Sequence, residues 1–125
     1  MKIDVNNRGI YLVKYTGPGQ EDKENDPGFL RLPTGCCKFG QSLNIKDVEK
    51  RYLNHCNENA VVRLVGHFKD RDDIDAIEKM LHRRFHARRL KNRNNRVSEW
   101  MEPIPETELK KVFLEVVEEY YELWK

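Results

Sequence analysis

The spacing of apolar residues changes several times along this 125-residue chain, and the order of these changes constrains its fold more than any other feature. Three short segments alternate apolar residues at every second position, a period typical of β-strands. They are residues 9–15, 36–41 and 60–68. Three longer segments repeat apolar residues every three or four positions, as amphipathic helices do. They are residues 45–56, about 73–85 and 106–125.

The order of these segments is strand, long loop, strand, helix, strand, helix, helix. It predicts one α/β domain over residues 1–125, with a small three-stranded mixed or antiparallel sheet flanked by helices. Asn44 is expected to cap the first helix, and Asp72 or Asp73 the second. In the first strand, Ile10 and Leu12 should face one side of the sheet. Tyr11 and its partners Val13 and Tyr15 should face the other.

Residues 16–35 hold three prolines and an acidic centre, and they predict a long loop. Loops longer than about 15 residues are uncommon in compact domains and are usually functional or mobile. The run from Phe29 to Leu32 is expected to pin the middle of this loop to the body of the domain.

The second strand and the helix after it bring polar groups together. We expect the chain to turn at Gly40 after the strand residue Lys38. Arg51 and His55 are four positions apart and share one helix face. Cations beside a strand end can form a binding site for a phosphate group.

Charge is distributed unevenly, although the formal net charge is only +2. Residues 79–98 contain no acidic side chain, whereas the last helix is rich in glutamate. Besides Lys79 at its start, this window holds Arg83, Arg84, Arg88, Arg89, Lys91, Arg93 and Arg96. They indicate a surface for a polyanion, and the alternative is a solvated charged loop.

The three cysteines, Cys36, Cys37 and Cys56, are odd in number and form no C-x-x-C pattern. A disulfide framework is therefore not expected, and the set favours a reducing, intracellular compartment. Together with His55 the cysteines invite a zinc site, but two adjacent cysteines are poor geometry for one tetrahedral site, and the expected short spacings are absent. The sequence shows no secretory signal and no apolar run of the roughly 18 residues that a membrane span needs.

In their order along the chain, five elements resemble the GIY-YIG nuclease family, in its phage and viral branch. Gly9-Ile10-Tyr11 reproduces the first motif, and Lys38-Phe39-Gly40 stands where Y-I-G belongs. Arg51 and His55 match an R-x-x-x-H helix, Glu78 matches a glutamate on the next long helix, and Ser98-Glu99-Trp100 matches an S/G-E-W element. The resemblance covers residues 9–101. The lysine in the second motif and the long loop depart from the usual pattern.

The resemblance implies a metal-dependent endonuclease acting on DNA. Glu78 would hold one divalent cation, Mg²⁺ or Mn²⁺, and Arg51 would contact the scissile phosphate. Tyr11 would orient or deprotonate the water. Lys38 would act either as the general base or as a phosphate contact, and His55 would position a phosphate or relay a proton.

The same residues allow simpler interpretations. Glu78 could be a solvated helix residue beside His82, and Arg51 could form a surface salt bridge. Tyr11 could be a core tyrosine, and His55 could be structural. The stripe of the last helix could pack on its own sheet or support a homodimer. A catalytically silent nucleic-acid-binding domain and a protein-interaction module are therefore the competing functions.

Overall fold

A computed structural model of the protein describes residues 8–20, 30–56, 58–92 and 94–122. In these ranges the chain forms five strands and three α-helices. The strands are β1 (Gly9–Tyr15), β2 (Cys37–Ser42), β3 (Ala60–His67), β4 (Arg89–Lys91) and β5 (Val97–Met101). The helices are α1 (Ile45–His55), α2 (Arg71–Arg84) and α3 (Glu106–Glu122), and a 3₁₀ turn spans His86–Arg88.

The strands form an antiparallel sheet in the order β3-β1-β2-β5-β4. The predicted α/β class is confirmed, but the prediction of three strands is wrong. The two further strands lie within residues 86–101, where the apolar spacing predicts neither a strand nor a helix. This segment is basic and rich in asparagine, so it lacks the apolar alternation that marks a strand in a sequence. Strands β4 and β5 pair with each other as a hairpin, and β5 joins this hairpin to the rest of the sheet.

The alternation predicted for β1 is confirmed, and it divides the interior into two cores. Ile10 and Leu12 pack in the first core, against α2 and α3. Tyr11, Val13 and Tyr15 pack in the second core, against α1. We refer to these two sides of the sheet as the α2/α3 face and the α1 face.

The helices begin at side-chain caps. The Asn44 side chain accepts a hydrogen bond from the Lys46 backbone N–H at 3.1 Å, as predicted for α1. For α2 the predicted cap is wrong. Asp70 has the extended backbone of a cap, and its carboxylate accepts from the Asp72 backbone N–H at 2.8 Å. The sequence offers three aspartates within four residues, and propensity alone does not choose among them.

Helix α3 covers its own sheet. Leu109, Phe113, Val116 and Tyr120 are buried in the first core. The Tyr120 hydroxyl also donates to the Asp73 carboxylate at 2.5 Å. Leu123 and Trp124, the last members of the predicted stripe, lie outside the described residues. None of the described helices combines the length and apolar character needed to cross a lipid bilayer.

Gly40 lies inside β2, so the prediction of a turn at this position is wrong. A glycine is required there because the Tyr11 ring lies across it. A Cβ atom at Gly40 would come within 2.4 Å of that ring. The turn instead follows Ser42, where the strand ends and the Asn44 cap begins.

The described ends of the long loop are held together. Gln20 and Leu32 exchange two hydrogen bonds, from backbone N–H to carbonyl at 3.1 Å and from backbone N–H to side-chain oxygen at 3.2 Å. Leu32 is buried in the second core, which agrees with the expected anchoring at this point. Phe29, the first residue of the predicted anchor, lies outside the described residues.

Candidate active site and cation cluster

Two tyrosines form the polar centre of the α1 face. The hydroxyls of Tyr11, on β1, and Tyr52, on α1, lie 3.0 Å apart, and both rings are buried. Burial is the main reason that the pKa of Tyr11 is raised above its ordinary value, and the Tyr52 hydrogen bond adds to the effect. Burial also raises the pKa of Tyr52. Both phenols are therefore neutral at physiological pH, and Tyr11 is better suited to orienting a water molecule by hydrogen bonding than to removing its proton.

Two cations contact this tyrosine pair. The Lys38 ammonium lies 5.1 Å from the centre of the Tyr52 ring and 5.6 Å from that of Trp100. The Arg51 guanidinium lies 5.6 Å from the Tyr52 ring centre. Aromatic faces attract cations at these distances. Lys38 and Arg51 both reduce the pKa increase of Tyr11, which places their charges in its electrostatic neighbourhood.

Lys38 also forms an ion pair with Glu99 on β5, with 3.3 Å between the ammonium nitrogen and a carboxylate oxygen. Residue alternation directs Lys38 toward the α1 face, because its neighbours Cys37 and Phe39 pack in the first core. Glu99 is directed to the other face, because Trp100 packs in the second core. The ion pair therefore joins the two faces of the sheet.

Sparse backbone pairing between β2 and β5 allows this contact between the two faces. In the described residues, β2 and β5 are paired at a single register position, Cys37 with Met101. By contrast, β1 and β2 are paired over six positions. The poor pairing between β2 and β5 leaves a seam in the sheet, and side chains from either face meet there.

At this seam, Glu99 approaches two residues of α2. Glu78, His82 and Glu99 each offer a ligand atom, and these atoms all lie within 4.8 Å of one another. Glu78 and His82 are four positions apart, so they share one face of the helix. The His82 Nε2 atom is 3.4 Å from the Phe39 carbonyl oxygen. We call Glu78, His82 and Glu99 the cation cluster.

Within the cation cluster, Glu78 lies in a partly buried and acidic environment. Burial raises the pKa of Glu78, and the charges of Glu99 and Asp75 raise it further, while His82 and a hydrogen bond from Gln41 oppose the increase. One oxygen of Glu78, Oε2, is buried and has no hydrogen-bond partner in the described part of the chain. A divalent cation would satisfy this oxygen and relieve the repulsion between carboxylates, so the residues present fit such an ion.

The five predicted catalytic residues are brought together unevenly. Tyr11, Lys38 and Arg51 share contacts around Tyr52, and Glu78 joins them through Glu99 and Lys38. Arg51 is exposed and has no carboxylate within ion-pair distance among the described residues. The alternative of a surface salt bridge for Arg51 is therefore not seen there. His55 is exposed at the end of α1 and forms no hydrogen bond or ion pair to the described residues of this site.

The basic window does not form one continuous cationic surface. Arg84 is paired with Glu115 of α3 at 2.5 Å. Arg88 is paired with Glu102 and, at 2.9 Å, with Glu108. These acidic partners lie far away in the sequence, so the window itself gave no sign of them. The cations of this window that have no carboxylate partner in the described ranges are Lys79, Arg83, Arg89, Lys91 and Arg96. Arg93 lies outside the described residues.

All three cysteines are buried and none forms a disulfide. Burial raises the pKa of Cys36 to about 12 and that of Cys37 to about 11. Burial also raises the pKa of Cys56. The thiols are therefore protonated at neutral pH, which makes them poor nucleophiles and poor metal ligands as they stand.

Comparisons with protein-family models, with curated proteins and with solved structures found no match for this chain. The resemblance to the GIY-YIG nucleases therefore stays a prediction based on the sequence elements alone.

Two residues of the site, Tyr52 and His82, were not assigned a role in it from the sequence. Tyr52 was interpreted only as part of the apolar stripe of α1, and no sequence pattern shows that its hydroxyl meets that of Tyr11. His82 shares a helix face with Glu78, and this spacing was a usable signal for a second ligand. Glu99 belongs to the S/G-E-W element, but its meeting with Lys38 depends on the sheet order.

Proposed function

We propose that this chain is a divalent-metal-dependent endonuclease that hydrolyses DNA phosphodiester bonds. The observation that carries the proposal is the Lys38–Glu99 ion pair at the seam. It connects a group of tyrosines and cations on the α1 face to the cation cluster beside α2. Phosphodiester hydrolysis requires both a seat for the phosphate and neutralisation of charge at the phosphoryl oxygens. The free thiols suit an enzyme that acts inside the cell.

The α1 face would hold the scissile phosphate. The Arg51 guanidinium is exposed and unpaired by described carboxylates, so its two-pronged geometry is free to bind two phosphate oxygens. Lys38 adds a second positive charge, supported by two aromatic rings and Glu99. We therefore assign Lys38 to contacting phosphate rather than to acting as a base. Tyr11 would hold the water by a hydrogen bond.

Glu78, His82 and Glu99 would hold the cation. Two carboxylates and an imidazole are ligands that Mn²⁺ accepts readily, and Mg²⁺ prefers carboxylates together with water. A bound cation supplies positive charge for the developing charge on the phosphoryl oxygens. His82 and Glu99 extend the single glutamate ligand that the sequence resemblance implied.

Cleavage of supercoiled plasmid DNA tests the proposal. The purified protein is incubated with plasmid and Mg²⁺ or Mn²⁺, beside Glu78→Gln and Arg51→Ala variants. We expect wild type to nick or linearise the plasmid. Each variant should be slower by roughly 100-fold or more, the scale for losing one preorganised charge-stabilising group.

Exposed residues outside the site provide matched controls. Glu118→Gln on α3 and Arg71→Ala at the start of α2 remove the same chemical groups from exposed positions. Both should cut at the wild-type rate. Equal cutting by wild type and Glu78→Gln would remove the cation cluster from the reaction. An intact plasmid with wild type in both metals would contradict the nuclease proposal.

A catalytically silent DNA-binding domain is the second candidate. The observation that favours it is the set of cations around β4 and β5, where Arg89, Lys91 and Arg96 have no carboxylate partner in the described ranges. Such cations bind phosphates without requiring any chemistry. Retention of plasmid on a gel without cleavage would favour this candidate over the enzyme.

A homodimer through α3 would have to use the side of that helix that faces away from the sheet. Leu114 and Tyr121 are exposed there, at 55% and 44% of their surface. The buried stripe of α3 is already used within the domain, which supports a monomer as the simplest working unit. Sedimentation of the purified protein distinguishes the two states.

A further inference from the structure

Lys38 and Glu99 form an ion pair whose two members differ in freedom. The Lys38 side chain is only 14% exposed, and it is held between the aromatic rings of Tyr52 and Trp100. The Glu99 side chain is 56% exposed. Of the two, the carboxylate is therefore the member that can change its position at low cost.

Glu99 has two competing partners. It neutralises Lys38 at 3.3 Å, and it also belongs to the cation cluster, within 4.8 Å of the ligand atoms of Glu78 and His82. The buried Oε2 atom of Glu78 has no partner in the described part of the chain, so the cluster lacks a positive charge at this point. One carboxylate therefore serves a cation that is present and a site that would receive another.

We propose that a divalent cation and the Lys38 ammonium compete for Glu99, so that loading the cation frees Lys38 to bind phosphate. This inference rests on the proposed function, because it requires the cation cluster to bind a metal ion. Two cations that share one carboxylate repel each other. Each of them therefore lowers the affinity of the carboxylate for the other. Because coupling of this kind is reciprocal, phosphate bound by Lys38 would in turn favour the loaded cluster.

The proposal predicts the effect of removing the lysine charge. Lys38→Met keeps the length and apolar stem of the side chain, so it can still pack between the two rings. It should bind Mn²⁺ roughly tenfold more tightly than wild type, a typical size for coupling between two sites. The full chain is titrated with Mn²⁺ in the absence of DNA. Binding is detected by calorimetry and, independently, by the EPR signal of free Mn²⁺.

Two controls separate this competition from a general charge effect. Lys79→Met removes a positive charge next to Glu78 in sequence, from an exposed position on α2. It should leave the Mn²⁺ affinity within about twofold of wild type, since charges in water are strongly screened. Lys38→Gln is a second neutral variant, and it should reproduce the tighter binding if Lys38→Met does not fold.

Variants of Glu99 test whether it is the carboxylate that the two cations share. Glu99→Gln should bind Mn²⁺ more weakly than wild type. In the double variant Lys38→Met/Glu99→Gln, the gain from Lys38→Met should disappear, because no shared carboxylate remains. A non-additive cycle of this kind is the direct measure of coupling between two groups.

The outcomes separate this inference from the proposed function. If wild type and both neutral variants bind Mn²⁺ equally tightly and wild type still cuts the plasmid, the competition is overturned and the nuclease proposal is retained. If Lys38→Met binds Mn²⁺ more tightly than wild type but wild type leaves the plasmid intact, the competition is supported and the nuclease proposal is overturned. Lack of Mn²⁺ binding by wild type and by both neutral variants, with plasmid left intact by wild type in both metals, would overturn both.

Discussion

The two faces of the sheet are built differently. On the α2/α3 face the side chains that meet are almost all aliphatic or aromatic, as at Ile10, Ile77 and Leu81, which are completely buried. On the α1 face the same sheet buries two tyrosine hydroxyls and lies next to a lysine that is mostly covered. The first face offers a large apolar core, and its polar groups Glu78, His82 and Glu99 are gathered at the seam. The second gives up part of that contact for polar groups that must find partners within the protein.

This difference teaches where stability and function lie. Apolar burial stabilises a fold roughly in proportion to area, whereas a buried polar group costs free energy unless it is hydrogen-bonded. The α1 face meets that condition by pairing Tyr11 with Tyr52 and Lys38 with Glu99. Changes in the apolar core of the α2/α3 face should therefore mainly affect folding, and changes at the polar groups of the seam and the α1 face should mainly affect function.

The largest expected effect on folding is at Ile77, which is completely buried on α2. Ile77→Ala should lower the free energy of unfolding by about 2–5 kcal/mol, because it removes packed methyl groups and leaves a cavity. Urea denaturation followed by circular dichroism measures the change. Val61→Ala is the control, since Val61 is 55% exposed, and a loss equal to that of Ile77→Ala would contradict the contrast.

A smaller effect is expected on the α1 face, at Tyr52. Tyr52→Phe keeps the ring but leaves the Tyr11 hydroxyl without its partner. It should lower the free energy of unfolding by about 1–2 kcal/mol, the cost of a buried group without a hydrogen bond. Tyr121→Phe removes a hydroxyl from a ring that is 44% exposed and should change stability little. Equal losses in the two variants would show that the tyrosine pair has no structural role.

A weaker effect should depend on pH. The pKa of Tyr11 is raised in the folded state, mainly by burial, so the unfolded state releases that proton first as pH rises. The contribution of Tyr11 is therefore complete below about pH 10, its unfolded pKa, and is lost above it. Tyr52, Cys36 and Cys37 shift in the same direction and act together with it.

The measurement is urea denaturation of wild type and Tyr11→Phe at pH 8 and above pH 10. Stability of wild type should fall between the two conditions, and the fall should be shallower in Tyr11→Phe. An identical decline in both proteins would mean that Tyr11 does not contribute to the alkaline loss.

The smallest expected effect concerns cations at the surface. Lys91, exposed on β4, has no carboxylate partner in the described ranges, whereas Arg84 is paired with Glu115. If the chain binds DNA, Lys91→Ala should lower the slope of log affinity against log salt by about 1, as expected for one lost phosphate contact. Arg84→Ala should leave the slope nearly unchanged. Fluorescence anisotropy with a labelled duplex measures both, and equal slopes in the two variants would contradict the distinction.

The parts of the fold that the sequence predicted are those with a strong local pattern. The alternation in β1 assigned each side chain to its face, and the stripe of α2 identified Ile74, Ile77 and Leu81 as core residues. The cap at Asn44 follows from a single polar residue before an apolar repeat. In these cases, neighbours in the sequence decide the structure.

The parts that the sequence did not predict depend on distant contacts. Strand β4 has only three residues, too few for an alternation to be recognised, so its pairing with β5 could not be seen in advance. The ion pairs that neutralise Arg84 and Arg88 come from α3 and from the segment before it. The site was predicted in its individual residues, but the role of Glu99 as the link between them requires the order of the strands.

The position of Glu99 late in the folded segment has a consequence for biosynthesis. Tyr11, Lys38 and Glu78 all leave the ribosome before it, and the edge of β2 remains open until β5 has been made. A nascent chain that stops short of β5 lacks the carboxylate that Lys38 binds and one of the three groups of the cation cluster. Any activity that needs this cluster therefore begins only after the segment through β5 has been translated.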